Sequence, residues 1–506
     1  ALLAGRIIFI PKEKTVKKIS IMSVNDFHGT LAEAGKNPGV SKLVGYFEAQ
    51  KKLNKEGTLI LSAGDMFQGS ADSNLMYGKP VAAAMNVAGF DAMVLGNHEF
   101  DWGVDKLIER IDQSDFPYLA ANLLEKSTGK VPDFVEPYII VNKKDVKIGI
   151  IGIVTPETAS KVKPEIVEPY DFKNPAEAVN ALVPEVKEAG ADIVVVLSHL
   201  GAFQDSKTGE ITGEAADFAK AVTGVDAIIA GHTHATVSGT VDGIPIVEAY
   251  YNGRSAGHLD IYYDIKDKKV VEVIPSVDGN IIKASPDAKI VSYFNYIQSL
   301  IGPIKNEVIG KATADFPHSP KDTQTTLLGN WVTDVMRKAV NADIAIQNGG
   351  GLRRDLPAGN ITMGLMYEIM PFDNTLFTVD LNGKQVKAAI EHGIMSEEMN
   401  PGQFSGLKVQ YDSTKPAGQR IVKITTSDGK PLVDTQIYKV VTNDFQATGG
   451  DKYTMFLEGE NSIDTSIPVR DVLVNEIKGN GTISPVDDGR LIDISKISMI
   501  TYKLAA

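Results

Sequence analysis

Asn97, His98, Glu99 and Asp101 stand in the stretch GNHEFDWG, directly after the apolar run AMVL. That run reads as a buried strand. Ionisable groups crowded at its end need partners or a metal, because burying an ionisable group alone is costly. The pattern recurs through the first half. IMSV ends in Asn25-Asp26-Phe27-His28, LILSA in Gly64-Asp65, VVVLS in His199, and AIIA in Gly231-His232-Thr233-His234. Five of the eight histidines lie at such strand ends, and open α/β sheets bind ligands outside the carboxyl ends of their strands. Asp26/His28 and His232/His234 are i, i+2 pairs; an extended chain turns both members to one side, so that both reach one ion. Imidazole with carboxylate suits Zn, Mn or Fe rather than Ca. The candidate ligands (Asp26, His28, Asp65, Asn97, His199, His232 and His234) are too many for one tetrahedral ion. Two divalent ions sharing a carboxylate fit better, with Asp65 as the bridge. Gly64 and Gly96 allow close backbone approach there. His258, His318 and His392 read instead as hydrogen-bonded rim residues.

A second group of residues lies in the other half. QNGGGLRRD, residues 347–355, follows the run DIAI. A three-glycine turn lets backbone amides approach an anion, and Arg353 or Arg354 can hold phosphate or carboxylate in bidentate fashion. Taken bare, this is a tight turn with an exposed arginine. MPFDN places Phe372 after a proline, and TNDFQATGGDKY places Phe445 near a Gly-Gly pair and Asp451. From composition alone, each of these phenylalanines reads as core.

The elements that must position these residues are legible as punctuation. KISIMSV, TLILSA, AMVLG, KIGIIGIV, DIVVVLS and AIIAG read as buried strands, with amphipathic helices between several of them. NPAEAVNALVPEVKEAG is a helix with Asn174 as N-cap, Pro175 in its first turn and Gly190 as its stop; Pro184 inside it is a candidate kink. The α/β pattern runs to about residue 284. SPDAKIVSYFNYIQSLIGPIKNEV reads as one long connecting helix, capped by Ser285 and broken at Gly302-Pro303. A second α/β region follows, carrying the helix LLGNWVTDVMRKAV, the strand DIAIQ and the glycine loop.

The bulk numbers agree with two or more globular domains. The chain has 506 residues, 43 % of them hydrophobic and 23 % charged, a length beyond one ordinary core. Its net charge of −13 argues against a nucleic-acid polymer as partner and leaves room for a small phosphate ester held by local metals. With no cysteine, disulfides, thiolate metal sites and a cysteine nucleophile are excluded. No apolar run approaches the roughly 20 residues of a membrane helix. The N-terminal ALLAGRIIFIPKEK reads as the start of a processed chain or of an expression product, and the final KLAA as a cloning scar.

The blocks NDFHG, GD, GNHEFD, SHLG and GHTH resemble those of the calcineurin-like metallophosphatases. Their order, together with the second region, is similar to the 5′-nucleotidase branch, over about residues 17 to 495. The resemblance implies an α/β fold: a four-layer α/β/β/α metallophosphatase domain over 17–284, a linker helix over 285–307, and an α/β substrate-binding domain over 308–500. It implies that one metal takes Asp26, His28, Asp65 and His234, and the other Asp65, Asn97, His199 and His232. By the same resemblance His98 pairs with Asp101 as the catalytic dyad; a carboxylate fixes the imidazole tautomer and favours its charged form, which can stabilise charge on a transferring phosphoryl group. Glu99 reads as a structural partner. The resemblance also turns Phe372 and Phe445 from core residues into two rings that stack a base. Asp451 would accept from the ribose hydroxyls, and Asn348, Gly350 and Arg353 would complete the site. Many relatives carry an arginine where this chain has Asp322, with Lys321 beside it as a point charge.

The implied activity is hydrolysis of nucleoside 5′-monophosphates to nucleoside and phosphate by two divalent ions, Zn, Mn or similar, that activate a water. ADP, ATP and UDP-sugars extend the expected substrates, and the expected location is extracytoplasmic (periplasmic, secreted or cell-surface). No covalent phosphoenzyme is expected. The nearest alternative is a 2′,3′-cyclic-nucleotide phosphodiesterase/3′-nucleotidase, a branch that typically stacks the base on tyrosines. A non-catalytic nucleoside-binding protein would have eroded ligand blocks, whereas all of them are intact. One nucleotide must reach both the metals and the base site, and relatives alternate between open and closed arrangements, so the resemblance implies domain rotation.

Overall fold

The apolar runs of the first half become strands that are buried on both faces. The computed structural model describes residues 15–318, 325–394 and 400–496; the N-terminal stretch, the final KLAA, Lys321 and Asp322 lie outside them. In chain order the elements used below are β1 (Val16–Val24), α1 (Gly39–Leu53), β2 (Thr58–Ser62), β3 (Ala92–Val94), β4 (Tyr118–Leu119), β5 (Tyr138–Lys143), β6 (Val146–Ile153), α2 (Pro175–Glu188), β7 (Ile193–Ser198), β8 (Ala227–Ile229), β9 (Thr236–Val241), β10 (Ile244–Ala249), β11 (Ala256–Asp264) and β12 (Lys269–Asp278). They form two six-stranded sheets, β12-β11-β1-β2-β3-β4 and β9-β10-β8-β7-β6-β5. The strands β1 to β4 are parallel, as are β6, β7, β8 and β10. Antiparallel partners lie toward the edges.

Alternation along each strand explains why the runs are continuously apolar. Ile148, Ile150, Val195, Leu197 and Ile229 point at Ile19, Ile21, Leu59 and Leu61 and fill the space between the sheets. Their neighbours Ile151, Ile153, Val194, Val196 and Ile228 point outward onto Val179, Val183 and Val186 of α2. On the outer face of the first sheet, α1 buries Val40, Leu43, Val44 and Phe47, and its Tyr46 hydroxyl meets His258 of β11 at 2.7 Å. The layers are therefore helix, sheet, sheet, helix. A sheet covered on both faces has no polar side to show. Polar residues can enter only where the strands end.

The helix signals are borne out at one helix and corrected at another. Asn174 caps α2, accepting from the Glu177 amide at 3.0 Å, and α2 runs unbroken through Pro184. The long helix α3 spans Ala288–Lys305 and continues past Gly302-Pro303. Pro303 stands in its last turn, where the amide it lacks removes a single bond. Its cap is Asp287 and not Ser285: the Asp287 carboxylate accepts from the Ile290 amide at 2.9 Å.

Contacts divide the chain into two units. The first takes in residues up to Gln68, Met76–Thr158 and Glu168–Tyr296; the second takes in Gly69–Leu75, Ala159–Val167 and residues from Ile297 onward. The second contains α4 (Leu327–Ala339), β13 (Ile344–Gln347), α5 (Met363–Ile369), β14 (Thr375–Asn382), β15 (Gln403–Ser405), β16 (Ile437–Asn443), α6 (Asp444–Ala447), β17 (Glu460–Pro468) and α7 (Val469–Asn480). Its main sheet runs β15-β13-β16-β14-β17. One face packs Leu328, Val332, Met366, Leu473 and Ile477 against Ala345, Leu376 and Val441. The other packs Val386, Ile390 and Tyr453 against Ile344, Val379 and Val440. Among the described residues no helix is long and apolar enough to cross a membrane.

Candidate active site

Parallel strands end side by side, and in the first unit they end in polar residues. The chain leaves β1 for Asp26 and His28, β2 for Asp65, β3 for Asn97, β7 for His199, and β8 for His232 and His234. Asp26, His28 and His234 offer ligand atoms within 4.8 Å of one another, and so do Asp65, His199 and His232. Of the two i, i+2 pairs, Asp26 and His28 join one group as expected, and His232 and His234 do not. Asp26, His28, Asp65, His232 and His234 all have left-handed backbone, with φ of 49, 50, 56, 81 and 55°. The chain curls at each strand end and is not extended there, so His232 and His234 join different groups. Non-glycine residues held at positive φ cost on the order of 1–3 kcal/mol each and gather at functional sites.

The glycines make room for this. A Cβ on Gly96 would lie 2.2 Å from an Asp65 carboxylate oxygen, and one on Gly64 would lie 2.6 Å from the Gly96 amide. Gly64 also has a φ of 91°, which a larger residue resists.

The donor set suits divalent cations. Asp26 Oδ1, Asn97 Oδ1 and His199 Nε2 are buried without a hydrogen-bond partner, although orphaned buried polar atoms are rare. His28 and His199 hold backbone carbonyls through Nδ1, those of Gln68 at 2.9 Å and Ala63 at 2.5 Å. Each thereby keeps its Nε2 lone pair for the centre, the usual second partner of a ligating imidazole. Both Nε2 atoms face other ligand atoms: His28 faces His234 Nε2 at 3.0 Å, and His199 faces Asp65 Oδ2 at 3.0 Å. Burial alone would push the Asp26 carboxyl up; the imidazoles of His234 and His199 outweigh it and bring it to about 2. Burial likewise opposes the charged form of His199, and the Asp65 carboxylate overcomes it, raising the imidazole to about 10; a cation bound at Nε2 would displace that proton.

His98 stands apart from both groups. Its backbone amide donates to Asp65 Oδ1 at 2.8 Å, while its ring Nδ1 meets Asp101 Oδ2 at 2.7 Å. A 3₁₀ turn over His98–Phe100 brings these two side chains together. The ring centroid lies 5.4 Å from that of His28.

Two buried carboxylates brace the loops beneath. Glu99 accepts from the amides of Asp65, Met66 and Gly96 at 2.9, 2.8 and 2.7 Å, and burial followed by the Asp65 charge pushes its carboxyl up to about 7. Glu248 of β10 accepts from the Ala202 and Ala235 amides and from the Thr233 hydroxyl, the residue between His232 and His234. Asn25 accepts from the Ala249 amide and donates to Asp26 Oδ2 at 2.7 Å. Glu157 pairs with His232 Nε2 at 3.0 Å. Sequence reasoning passed over Glu248, Asn25 and Glu157. The one available signal was a Glu inside the otherwise apolar strand run IPIVEA.

In the second unit, Asn348 and Asp451 come together: Asn348 Nδ2 donates to Asp451 Oδ2 at 2.9 Å. Lys161 holds the other Asp451 oxygen at 3.0 Å, and His392 donates to its backbone carbonyl at 2.8 Å. Asn443 donates to Asn348 Oδ1 at 2.9 Å. Lys161 and Asn443 were not singled out from the sequence; His392, half-buried and bonded to the Asp451 carbonyl, fits its reading as a hydrogen-bonded rim residue. The three glycines do different jobs. A Cβ on Gly349 would meet the Pro401 carbonyl at 2.1 Å and one on Gly351 the Gln347 side chain at 2.3 Å, whereas at Gly350 the nearest atom is 3.4 Å away, with Asp451 Oδ2 at 3.9 Å. His318 is buried under this loop rather than on a rim, between the Thr326 hydroxyl and the Gly349 carbonyl. Arg353 places its guanidinium 5.9 Å from the centre of the Phe372 ring. Phe445 lies on Gly450, where a Cβ would come within 2.6 Å of the ring.

Comparison with known proteins agrees with this architecture. Residues 19–236 match the calcineurin-like phosphoesterase family and residues 308–458 the 5′-nucleotidase C-terminal domain. The chain is 34 % identical to the endonuclease YhcR of Bacillus subtilis over 88 % of its own length and 38 % of that protein. It is thus similar to less than half of that relative. It is 29 % identical to the cell wall protein Lmo0130 of Listeria monocytogenes, covering 96 % of this chain and 70 % of that one. Among solved structures, the 5′-nucleotidase precursor of Thermus thermophilus superposes with a TM-score of 0.83 at 28 % identity, over 94 % of this chain and 99 % of that one. A metallophosphoesterase unit and a 5′-nucleotidase C-terminal unit in this order place the chain in the 5′-nucleotidase family.

Proposed function

We propose that this chain hydrolyses nucleoside 5′-monophosphates to nucleoside and phosphate, with two divalent ions, Zn or Mn, in the first unit. The observation that carries the reading is the set of buried ligand atoms on Asp26, Asn97 and His199 that no hydrogen bond satisfies, beside the two groups of carboxylate and imidazole. Asp26, His28, Asp65 and His234 would hold one ion, and Asp65, Asn97, His199 and His232 the other. Bound ions supply Lewis acidity toward the phosphoryl oxygens and the attacking water.

His98 and Asp101 have a separate part. Asp101 orients the His98 ring through Nδ1 and favours its protonated form, and the other ring nitrogen then donates toward charge on the phosphoryl group or the leaving oxygen. In the second unit Phe372 and Phe445 take the base between them, Asp451 accepts from the ribose hydroxyls, and Asn348, Gly350 and Arg353 line the same place. Lys161 already occupies one Asp451 oxygen, so the ribose and this lysine share that carboxylate. An extracytoplasmic location accords with the relative named as a cell wall protein.

Phenylalanine at both 372 and 445 favours this reading over the cyclic phosphodiesterase, and the relative named as an endonuclease makes a polynucleotide the third comparison. The test compares phosphate release from AMP, ring opening of 2′,3′-cyclic AMP to the monophosphate, and strand cleavage of single-stranded DNA, each with Mn or Zn and again after exhaustive chelation. AMP should be cleaved fastest, and chelation should abolish the activity. Full activity with metal content near zero would sink the metal site, and a preference for cyclic AMP would sink the substrate.

A further inference from the structure

Two rings that hold a base between them must stand apart by about twice a van der Waals contact, roughly 7 Å. An opening of even 0.5–1 Å forfeits about a quarter to a half of the attraction on one side. Something must therefore fix the spacing of Phe372 and Phe445. Phe372 lies in the segment between α5 and β14, and Phe445 is the second residue of α6, which follows β16 directly. The strands β14 and β16 pair antiparallel with Leu376 opposite Asn443. Both rings thus leave from the same end of one ladder, on separate turns that the ladder itself does not join.

Asp444 joins them. Its Oδ1 accepts from Asn374 Nδ2 at 2.8 Å and from the Thr375 amide at 3.2 Å, both just past Phe372, and from the Phe445 amide at 2.9 Å. The other oxygen pairs with Lys163. Helix capping does not account for this side chain, because Asn443 already caps α6 by accepting from the Gln446 amide at 2.8 Å. Asp444 is turned across to the neighbouring turn instead.

The rest of both turns is clamped. Arg470, 7 % exposed, donates to the carbonyls of Met370 and Phe372 at 2.9 and 3.4 Å and to the Asp373 carboxylate. Its guanidinium lies 3.8 Å from the centre of the Tyr367 ring. The Val469 amide donates to the Asn374 carbonyl at 2.9 Å. On the other side Gly450 backs the Phe445 ring.

We propose that Asp444 is a positioning residue that sets the gap between Phe372 and Phe445, acting through Asn374, and so determines how well the protein takes nucleotides over phosphate esters without a base. This rests on the reading that the two rings stack the base. Stacking is a main source of affinity for a base, so weakening both faces at once should cost roughly tenfold in binding.

The test compares AMP with ribose 5-phosphate, which lacks the base, and measures adenosine binding by calorimetry. Asp444→Ala should raise KM for AMP and weaken adenosine binding about tenfold, while kcat/KM for ribose 5-phosphate stays within about twofold. Asp444→Asn keeps an acceptor at Oδ1 and should recover most of the loss; it also serves if the alanine variant folds poorly. Asn374→Ala should weaken adenosine binding, and the double variant with Asp444→Ala should lose no more than the larger single effect, as coupled neighbours do. Equal loss on both substrates, or fully additive losses, would overturn the proposal. Phe372→Ala and Phe445→Ala in the same assays separate the two claims. If neither ring variant changes adenosine binding, the stacking reading fails and this proposal with it. If both do while Asp444→Ala does not, stacking stands and the positioning role is wrong.

Discussion

At the scale of single residues, the first unit places five ligand candidates in left-handed backbone and leaves three ligand atoms without a hydrogen-bond partner. Both are unfavourable for a chain that only needs to fold, and both are expected where a cation completes the arrangement. His98 has neither mark. Its ring is held by Asp101 and meets the His28 ring edge-on, and its backbone amide donates to Asp65. His98→Ala should therefore lower kcat by about 10²–10³-fold while both metals stay bound, measured as metal-to-protein ratio after desalting. Loss of one equivalent of metal would mean that His98 is a ligand. The types of these residues were legible in the sequence because each follows an apolar run. Their geometry was not. The i, i+2 argument assumed extended chain, and the left-handed turns that divide His232 from His234 carry no mark in the local residue pattern. Asp444 was missed for a related reason: beside Asn443 it reads as part of a helix cap, and its partner Asn374 is about seventy residues away.

At the scale of elements, the strands were legible because burial on both faces leaves continuous apolar runs. Sheet order and the antiparallel edges were not, since they depend on pairings between distant segments. The same limit hid Glu248. It stands in β10, and its carboxylate collects the amides of Ala202 and Ala235 and the hydroxyl of Thr233. It thus pins the turn after β8 to the turn after β7, and each turn carries ligand candidates. A buried carboxylate with several donors is costly to replace, because each lost acceptor leaves a buried donor unpaired. Glu248→Gln keeps the shape but turns an amide NH₂ toward the Ala202 or the Ala235 amide, which can only donate. Apparent metal affinity should fall about 10–100-fold, as for other second partners of metal ligands, with kcat at saturating metal largely kept. Competition against a chromophoric chelator measures the affinity. Unchanged affinity together with a lowered Tm would reduce Glu248 to a packing role.

At the scale of the whole molecule, metal binding and folding are linked. The ligand candidates come from strands of both sheets of the first unit, Asp26 and Asp65 after β1 and β2, His199 and His232 after β7 and β8. A cation that holds them ties the two sheets together at their carboxyl ends, and the unfolded chain offers no such arrangement. A ligand that binds only the folded state stabilises it by about 2.7 kcal/mol when its concentration is a hundred times Kd. For a unit of this size that amounts to a rise in Tm of about 5–10 °C. The rise has a location as well as a magnitude, because each unit has its own core: Ile19, Leu61 and Val195 in the first, Leu328, Met366 and Leu473 in the second. Hydrogen exchange should therefore slow after adding Mn or Zn to chelated protein, first at Asp26–Gly29, Gly64–Met66 and Gly231–Ala235. The strands β13 and β16 of the second unit should change little. His199→Ala, which removes a buried ligand candidate, should shrink the rise in Tm. An equal Tm with and without metal, at a concentration that restores activity, would mean that the centre is preformed and bears no load in the fold. Protection spread evenly over both units would point to an effect of metal on the protein as a whole and not on this centre.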